Sequence, residues 1–113
     1  MELDERHLIR LEVERRQYRR VKLVTQVHCE KMDRNEIMVT RDVSLGGMFI
    51  TAKFPLPLES EFSLTFRLKP TEPAITCRAR VMFSRAGLGM GIKFLDVTQE
   101  AQLALQRFVD EVT

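Results

Sequence analysis

The sequence predicts a mainly β fold: a small barrel of six antiparallel strands, with a short N-terminal helix or arm and a C-terminal α-helix. Six segments alternate apolar and polar residues with a period of two, which is typical of half-buried strands. Turn-forming residues separate these segments, and the end of the chain changes to a helical period. Because 113 residues suit one domain, we expect side chains to fill the barrel and any ligand to bind on its outside or rim.

Residues 1–14 are predicted to form the N-terminal helix or arm, and residues 15–113 to form the barrel domain. Glu2 with Arg6, and Glu12 with Arg16, have the i, i+4 spacing that supports a helix. The basic run that follows, from Arg15 to Lys22, contains five basic residues and no acidic one. This run is the only strong charge asymmetry in the chain, so any anion site must be local.

Two predicted strands follow the basic run. The first covers residues 21–30 and is broken only at Val24, and its inward face holds Val21, Leu23, Thr25, Val27 and Cys29. After a turn at residues 32–35, the second covers residues 37–43. It divides into one face with Ile37, Val39, Arg41 and Val43 and another with Met38, Thr40 and Asp42.

Four further strands are predicted at residues 48–52, 62–68, 75–84 and 89–94. Pro55 and Pro57 forbid ladder pairing in the connection before the fourth strand. In the fifth strand, Phe83 continues the inward face of Ile75, Cys77, Ala79 and Val81. The helix follows a cap at Asp96 or Thr98, and its apolar positions recur at three and four: Ala101, Leu105, Phe108, Val109 and Val112.

The chain offers little for catalysis or metal binding. His7 and His28 are its only histidines, and neither has a companion at metal or triad spacing. Cys29 and Cys77 lack a C-x-x-C spacing and are expected to be buried thiols, although two strands could bring them together as a disulfide. We therefore expect no enzyme activity, no metal and no cofactor.

Charge and hydropathy limit the partners and the location. A net charge of +2 argues against coating a polyanion such as DNA or RNA. No stretch approaches the roughly 20 apolar residues of a spanning helix, and the start lacks the basic and apolar regions of a signal peptide. We expect a cytoplasmic protein that does not insert into membranes.

Two motifs together point to a nucleotide ligand. Arg16 and Arg20 lie four residues apart just before the first strand, and arginine can grip phosphate oxygens or read the edge of guanine. At the end of the second strand, Asp42 can accept hydrogen bonds from guanine, and Ser44 can donate one to a phosphate oxygen. Gly46 and Gly47 allow backbone amides to approach an anion closely.

The order R-x-x-x-R, first strand, D-x-S-x-x-G resembles the PilZ domain, the bacterial receptor module for the second messenger cyclic di-GMP. The resemblance covers about residues 15–112, including the last strand and the closing helix. It implies a six-stranded barrel whose N-terminal arm folds over the ligand. It also implies ligand contacts by Arg16, Arg20, Asp42, Ser44 and Gly47 and, because Arg15 is basic, two stacked and intercalated cyclic di-GMP molecules.

Two other functions stay open from the sequence. A ligand-independent protein-interaction adaptor could use the same fold, but it has no reason to keep both motifs. An RNA- or single-stranded-DNA-binding barrel would need exposed aromatics among basic strand faces, whereas Tyr18 is the only Tyr and most Phe residues fall on inward positions. We therefore expect a cyclic di-GMP receptor that signals to an unidentified downstream protein.

Overall fold

The computed structural model describes residues 19–30 and 38–112. It contains seven strands and one helix: β1 (Val21–Lys22), β2 (Gln26–Cys29), β3 (Met38–Val43), β4 (Gly47–Thr51), β5 (Glu61–Phe66), β6 (Ile75–Arg85), β7 (Gly89–Phe94) and α1 (Gln99–Val112). The predicted N-terminal helix of residues 1–14 and the predicted turn at residues 32–35 lie outside the described residues, as do Arg15 and Arg16.

The strands form a closed antiparallel barrel, which confirms the predicted fold class. Going round the barrel, β3 is followed by β2, β5, β6, β7 and β4, and β4 pairs with β3 again. The additional strand β1 pairs with β3 through Val21–Val43 and Lys22–Asp42, beside the contact of β2 with the other end of β3. The predicted first strand is therefore two short strands, and the barrel has six positions and one extra strand.

A buried threonine accounts for the break in that first strand. The backbone N–H of Thr25 donates to the Thr40 hydroxyl at 3.0 Å, and this hydroxyl in turn donates to the carbonyl of Leu23. The Thr40 side chain hydrogen-bonds to peptide groups between β1 and β2. These groups are therefore satisfied without a partner in the regular strand ladder. The sequence had indicated an interruption at Val24 alone, whereas residues 23–25 all lie outside the strands.

Two β-bulges correct the predicted strand faces. In β3 the register shifts between Thr40 and Asp42, so Arg41 is an extra residue and Asp42 points outward while Val43 returns to the core. In β6 the register shifts between Val81 and Phe83. Phe83 is therefore exposed, and its prediction as an inward residue was wrong because period-two alternation fails across a bulge.

The core fills the barrel and extends under the helix. Its fully buried side chains come from most strands and from α1: Val43, Met48, Ile50, Leu64, Ala79, Val81, Met90 and Leu105. Thr98 caps α1, since its hydroxyl accepts the backbone N–H of Ala101 at 3.1 Å. The helix buries Ala101, Leu105, Phe108 and Val109 against the barrel.

The two cysteines are buried free thiols, so the disulfide alternative is ruled out in this structure. Desolvation by burial, with a smaller contribution from the carboxylate of Asp96, raises the pKa of the Cys77 thiol to about 11. Across residues 19–30 and 38–112, no group of three or more His, Cys, Asp or Glu side chains is arranged to hold a metal ion. Within the described residues, α1 is not long and apolar enough to cross a membrane.

Candidate functional site

The register of β1 against β3 brings together residues from the two sequence motifs. Lys22 lies opposite Asp42, so Arg20, which directly precedes β1, comes beside the Asp42 carboxylate. The Nη1 atom of Arg20 lies 2.7 Å from Oδ1 of Asp42. The last arginine of the first motif and the carboxylate of the second therefore meet on the outer surface of the barrel, although 22 residues separate them in the chain.

A second arginine occupies the other carboxylate oxygen. Nε of Arg41 lies 3.3 Å from Oδ2 of Asp42, and both arginine side chains are more than half exposed. Ion pairs of this kind contribute only about 0–1 kcal/mol to stability, because solvent screens them. Both oxygens of Asp42 are thus held by charged donors whose ion pairs add little to the stability of the fold.

The turn between β3 and β4 is held by Ser44. Its backbone N–H donates to the carbonyl of Gly47 at 2.8 Å, and its hydroxyl accepts the backbone N–H of Gly46 at 3.2 Å. The hydroxyl also lies 3.4 Å from the Gly47 carbonyl, to which it donates. The Ser44 side chain is buried and bonded within the turn, so its contribution in this structure is to shape the turn.

Gly47 is required by the close approach of β4 to β7. A Cβ added there would lie 2.0 Å from the carbonyl oxygen of Ile92 and 3.2 Å from Cα of Lys93. Both are backbone atoms, which cannot move aside as a side chain would. The glycine at this position of the motif therefore has a structural role, independent of any ligand.

An aromatic row beside Asp42 was missed by the sequence analysis. The Arg41 guanidinium lies over the Phe49 ring, 4.0 Å from its centroid, and the Phe49 and Phe83 rings are 6.3 Å apart. The strand registers place Asp42 opposite Phe49, and Gly91 opposite both Phe49 and Phe83. This row depends on the two bulges, and no residue pattern in the sequence marks either of them.

The predicted site residues divide into three groups. Arg20 and Asp42 are in direct contact, and Ser44, Gly46 and Gly47 form the adjoining turn. Arg15 and Arg16 lie outside the described residues. A groove of about 730 Å³ lies elsewhere, along β2 and the end of β5, and its lining includes His28, Met38 and Arg67 but none of the motif residues. The candidate site is therefore an open surface of the barrel.

The comparisons with known proteins agree with this architecture. The family model described as PilZ domain matches residues 14–111. The chain is similar to the solved structure of the Bacillus subtilis inhibitor of motility, MotI/DgrA, with a TM-score of 0.69 and 21% identity over 86% of this chain and 50% of that one. This chain therefore spans about half the length of that protein.

A second solved structure has the same fold. It is the PilZ domain of CeSA from a cellulose-synthesizing bacterium, with a TM-score of 0.55 and 22% identity, over 82% of this chain and 96% of that one. At these identities the two likenesses show the fold alone. No curated protein matches the chain.

Proposed function

The chain belongs to the PilZ domain family, and from this premise we propose that it is a cytoplasmic receptor for cyclic di-GMP that signals to a downstream protein. PilZ domains are receptor or adaptor modules and not enzymes. The observation that carries the proposal is the 2.7 Å contact between Arg20 and Asp42, which joins the two ligand motifs on one surface.

The residues of the site divide the recognition of the ligand between them. Asp42 accepts hydrogen bonds from N1–H and the exocyclic amine of a guanine, and those donors replace the arginines now on its two oxygens. The released Arg20, together with Arg16, holds phosphate oxygens and the guanine edge. The Ser44 hydroxyl donates to a phosphate oxygen of the ligand and gives up its present hydrogen bond to the Gly47 carbonyl.

Binding of the N-terminal arm over the ligand gives the receptor its signal. Fixing the backbone costs roughly 1–2 kcal/mol per residue, which the arginine contacts must offset. The surface formed by arm, ligand and barrel rim then exists only in the bound state, and we propose that the downstream protein reads this surface. Arg15 adds a third guanidinium to the arm, and with it the site takes two stacked cyclic di-GMP molecules.

Calorimetric titration with cyclic di-GMP tests the proposal. The unmodified chain is expected to bind two molecules per chain, and Arg20→Ala to bind at least tenfold more weakly, a loss of about 1.4 kcal/mol. Arg19→Ala is the matched control, because it removes the same charge from an exposed neighbour outside the motif, and it should bind nearly as the unmodified chain does.

The same titration has outcomes that count against the proposal. Equal affinity for Arg20→Ala and Arg19→Ala would place the ligand elsewhere, and one ligand per chain would refute the two-molecule site. No heat from the unmodified chain would favour the second candidate, a ligand-independent interaction adaptor. The exposed apolar side chains at one end of the barrel, such as Phe54 and Leu58, are the observation that supports this alternative.

A further inference from the structure

Exposed apolar side chains collect in two neighbouring segments, the β4–β5 connection and the β6–β7 hairpin. They are between 40% and 70% exposed, although they are large and apolar: Phe54, Leu58, Met82, Phe83 and Leu88. Of the eight large apolar side chains that are exposed in the described part of the chain, these are five. We name them the apolar patch, and patches of this kind mark docking surfaces.

Backbone hydrogen bonds hold the two segments side by side. The N–H of Gly87 donates to the carbonyl of Lys53 at 2.9 Å, and the N–H of Glu59 donates to the carbonyl of Val81 at 2.8 Å. The Ser84 hydroxyl donates to the carbonyl of Leu56 at 2.7 Å. The patch is therefore one end of the barrel, held in place by the main chain.

The patch is continuous with the surface on which Arg20 meets Asp42. From Asp42 the strand registers lead to Phe49, Gly91 and Phe83, across β3, β4, β7 and β6. Three steps between neighbouring strands at about 4.8 Å each amount to about 14 Å. Arg20, which contacts Asp42, therefore lies only a short distance from Phe83.

The charges around the patch identify the chemistry of its occupant. Arg41 lies on Phe49, Lys53 lies over the Phe54 ring at 5.8 Å, and Arg85 is exposed at the end of β6. Glu59 is the acidic side chain among them. A surface that is apolar and mainly basic favours a segment that is apolar and acidic.

The sequence of residues 2–14 has this chemistry. It contains five acidic and two basic side chains, a net charge of −3, together with five apolar ones: Leu3, Leu8, Ile9, Leu11 and Val13. Only residues 15–18 separate it from Arg19, where the described chain begins. Four extended residues span at most about 14 Å, which matches the distance from Asp42 to Phe83.

We propose that residues 2–14 dock on the apolar patch of their own chain. The docked segment covers Phe83 and its neighbours, and its carboxylates face Arg85 and Lys53. This inference does not require cyclic di-GMP, so it stands or falls separately from the proposed receptor function.

Fluorescence of the full chain tests the docking, because the protein contains no tryptophan. Leu8→Trp places the only tryptophan of the protein in the segment, where it can be excited apart from Tyr18, and no ligand is added. Its emission is expected to be blue-shifted, and shielded from acrylamide, relative to a synthetic peptide of residues 2–14 with the same substitution. Adding Phe83→Glu is expected to shift the emission to that of the peptide.

Leu103→Glu is the matched control. Leu103 is as exposed as the patch residues and receives the same new charge, but it lies on α1 beside Pro73 and Thr76, at the other end of β6. It should leave the emission unchanged. Circular dichroism checks that both variants fold.

Three results would overturn the inference. Emission equal to that of the peptide in the Leu8→Trp chain would mean that the segment is undocked. An equal change of the emission by Phe83→Glu and Leu103→Glu would mean that the apolar patch is not the docking site. An emission that depends on protein concentration would assign the occupant to a second copy of the chain.

Discussion

Two residues of the D-x-S-x-x-G motif have structural roles in the barrel that do not depend on a ligand. Ser44 closes the β3–β4 turn through its own backbone and hydroxyl, and Gly47 lets β4 approach the β7 backbone. Substitution of either residue would therefore disturb the fold of the turn, so a loss of ligand binding in such a variant would not by itself demonstrate a contact. Among the predicted site residues within 19–30 and 38–112, Arg20 and Asp42 offer substitutions that separate binding from folding, because both side chains reach the surface.

Gly47→Ala is expected to destabilise the protein by about 3 kcal/mol, the upper part of the range for overpacking. The reason is the 2.0 Å approach of its new Cβ to the Ile92 carbonyl oxygen. Gly91→Ala is the control, because a Cβ there meets its nearest neighbour, Cβ of Phe83, at an ordinary 3.5 Å. Urea denaturation of the two variants measures the difference, and similar midpoints would show that β4 and β7 do not approach so closely.

Cys77 predicts a loss of stability at high pH. Its pKa of about 11 lies above the ordinary thiol value near 8.5, so the unfolded chain ionises first. The contribution of Cys77 to stability is fully present below about pH 8.5 and falls as the pH rises towards 11. Because lysines and tyrosine also titrate there, the measurement is the difference between the unmodified chain and Cys77→Ala.

For this prediction, the free energy of unfolding is measured from pH 8 to pH 11. The gap between the unmodified chain and Cys77→Ala should narrow as the pH rises. A constant gap would mean that the Cys77 thiol ionises equally in both states.

At the scale of elements, period-two alternation predicts strands well where the ladder is regular. In β5 the apolar residues Phe62, Leu64 and Phe66 alternate with polar ones and are all buried, and β7 has the limits predicted for the last strand. The prediction fails at the bulges in β3 and β6, because a bulge is defined by the partner strand and not by the strand's own sequence.

In the candidate site, too, some residues could be predicted from the sequence and others depend on strand register. Residue types and spacing were enough to select Arg20 and Asp42, and their contact follows from the pairing of β1 with β3. Arg41, Phe49 and Phe83 could not be selected, since their outward positions depend on register. Strand pairing determines which side chains surround a surface site, and a period-two pattern within one strand carries no information about that pairing.

The helix α1 gives a prediction at the same scale. Leu105 is fully buried where α1 packs on the barrel, and Leu105→Ala is expected to cost about 2–5 kcal/mol, the range for cavity-forming substitutions. Leu103→Ala is the control, because Leu103 lies two residues away on the exposed side. Thermal unfolding compares them, and equal melting temperatures would contradict the packing of the helix.

At the scale of the whole molecule, the near-neutral net charge conceals a strong local asymmetry. The net charge is +2, yet residues 15–22 carry five basic side chains and no acidic one. The barrel presents Asp42 next to Arg20 and Lys22 of this run, and an exposed apolar end lies three strands away from Asp42. This local asymmetry on the outside of the barrel is what the proposal of a small anionic ligand with guanine edges rests on.

The most direct test of this account is a calorimetric titration of the unmodified chain with cyclic di-GMP and with cyclic di-AMP. The two ligands have the same phosphates, but adenine presents an N1 acceptor where guanine presents donors to the Asp42 carboxylate. We predict that cyclic di-GMP binds and that cyclic di-AMP binds at least tenfold more weakly, a difference of about 1.4 kcal/mol. Equal affinities, or no heat from cyclic di-GMP, would contradict the account.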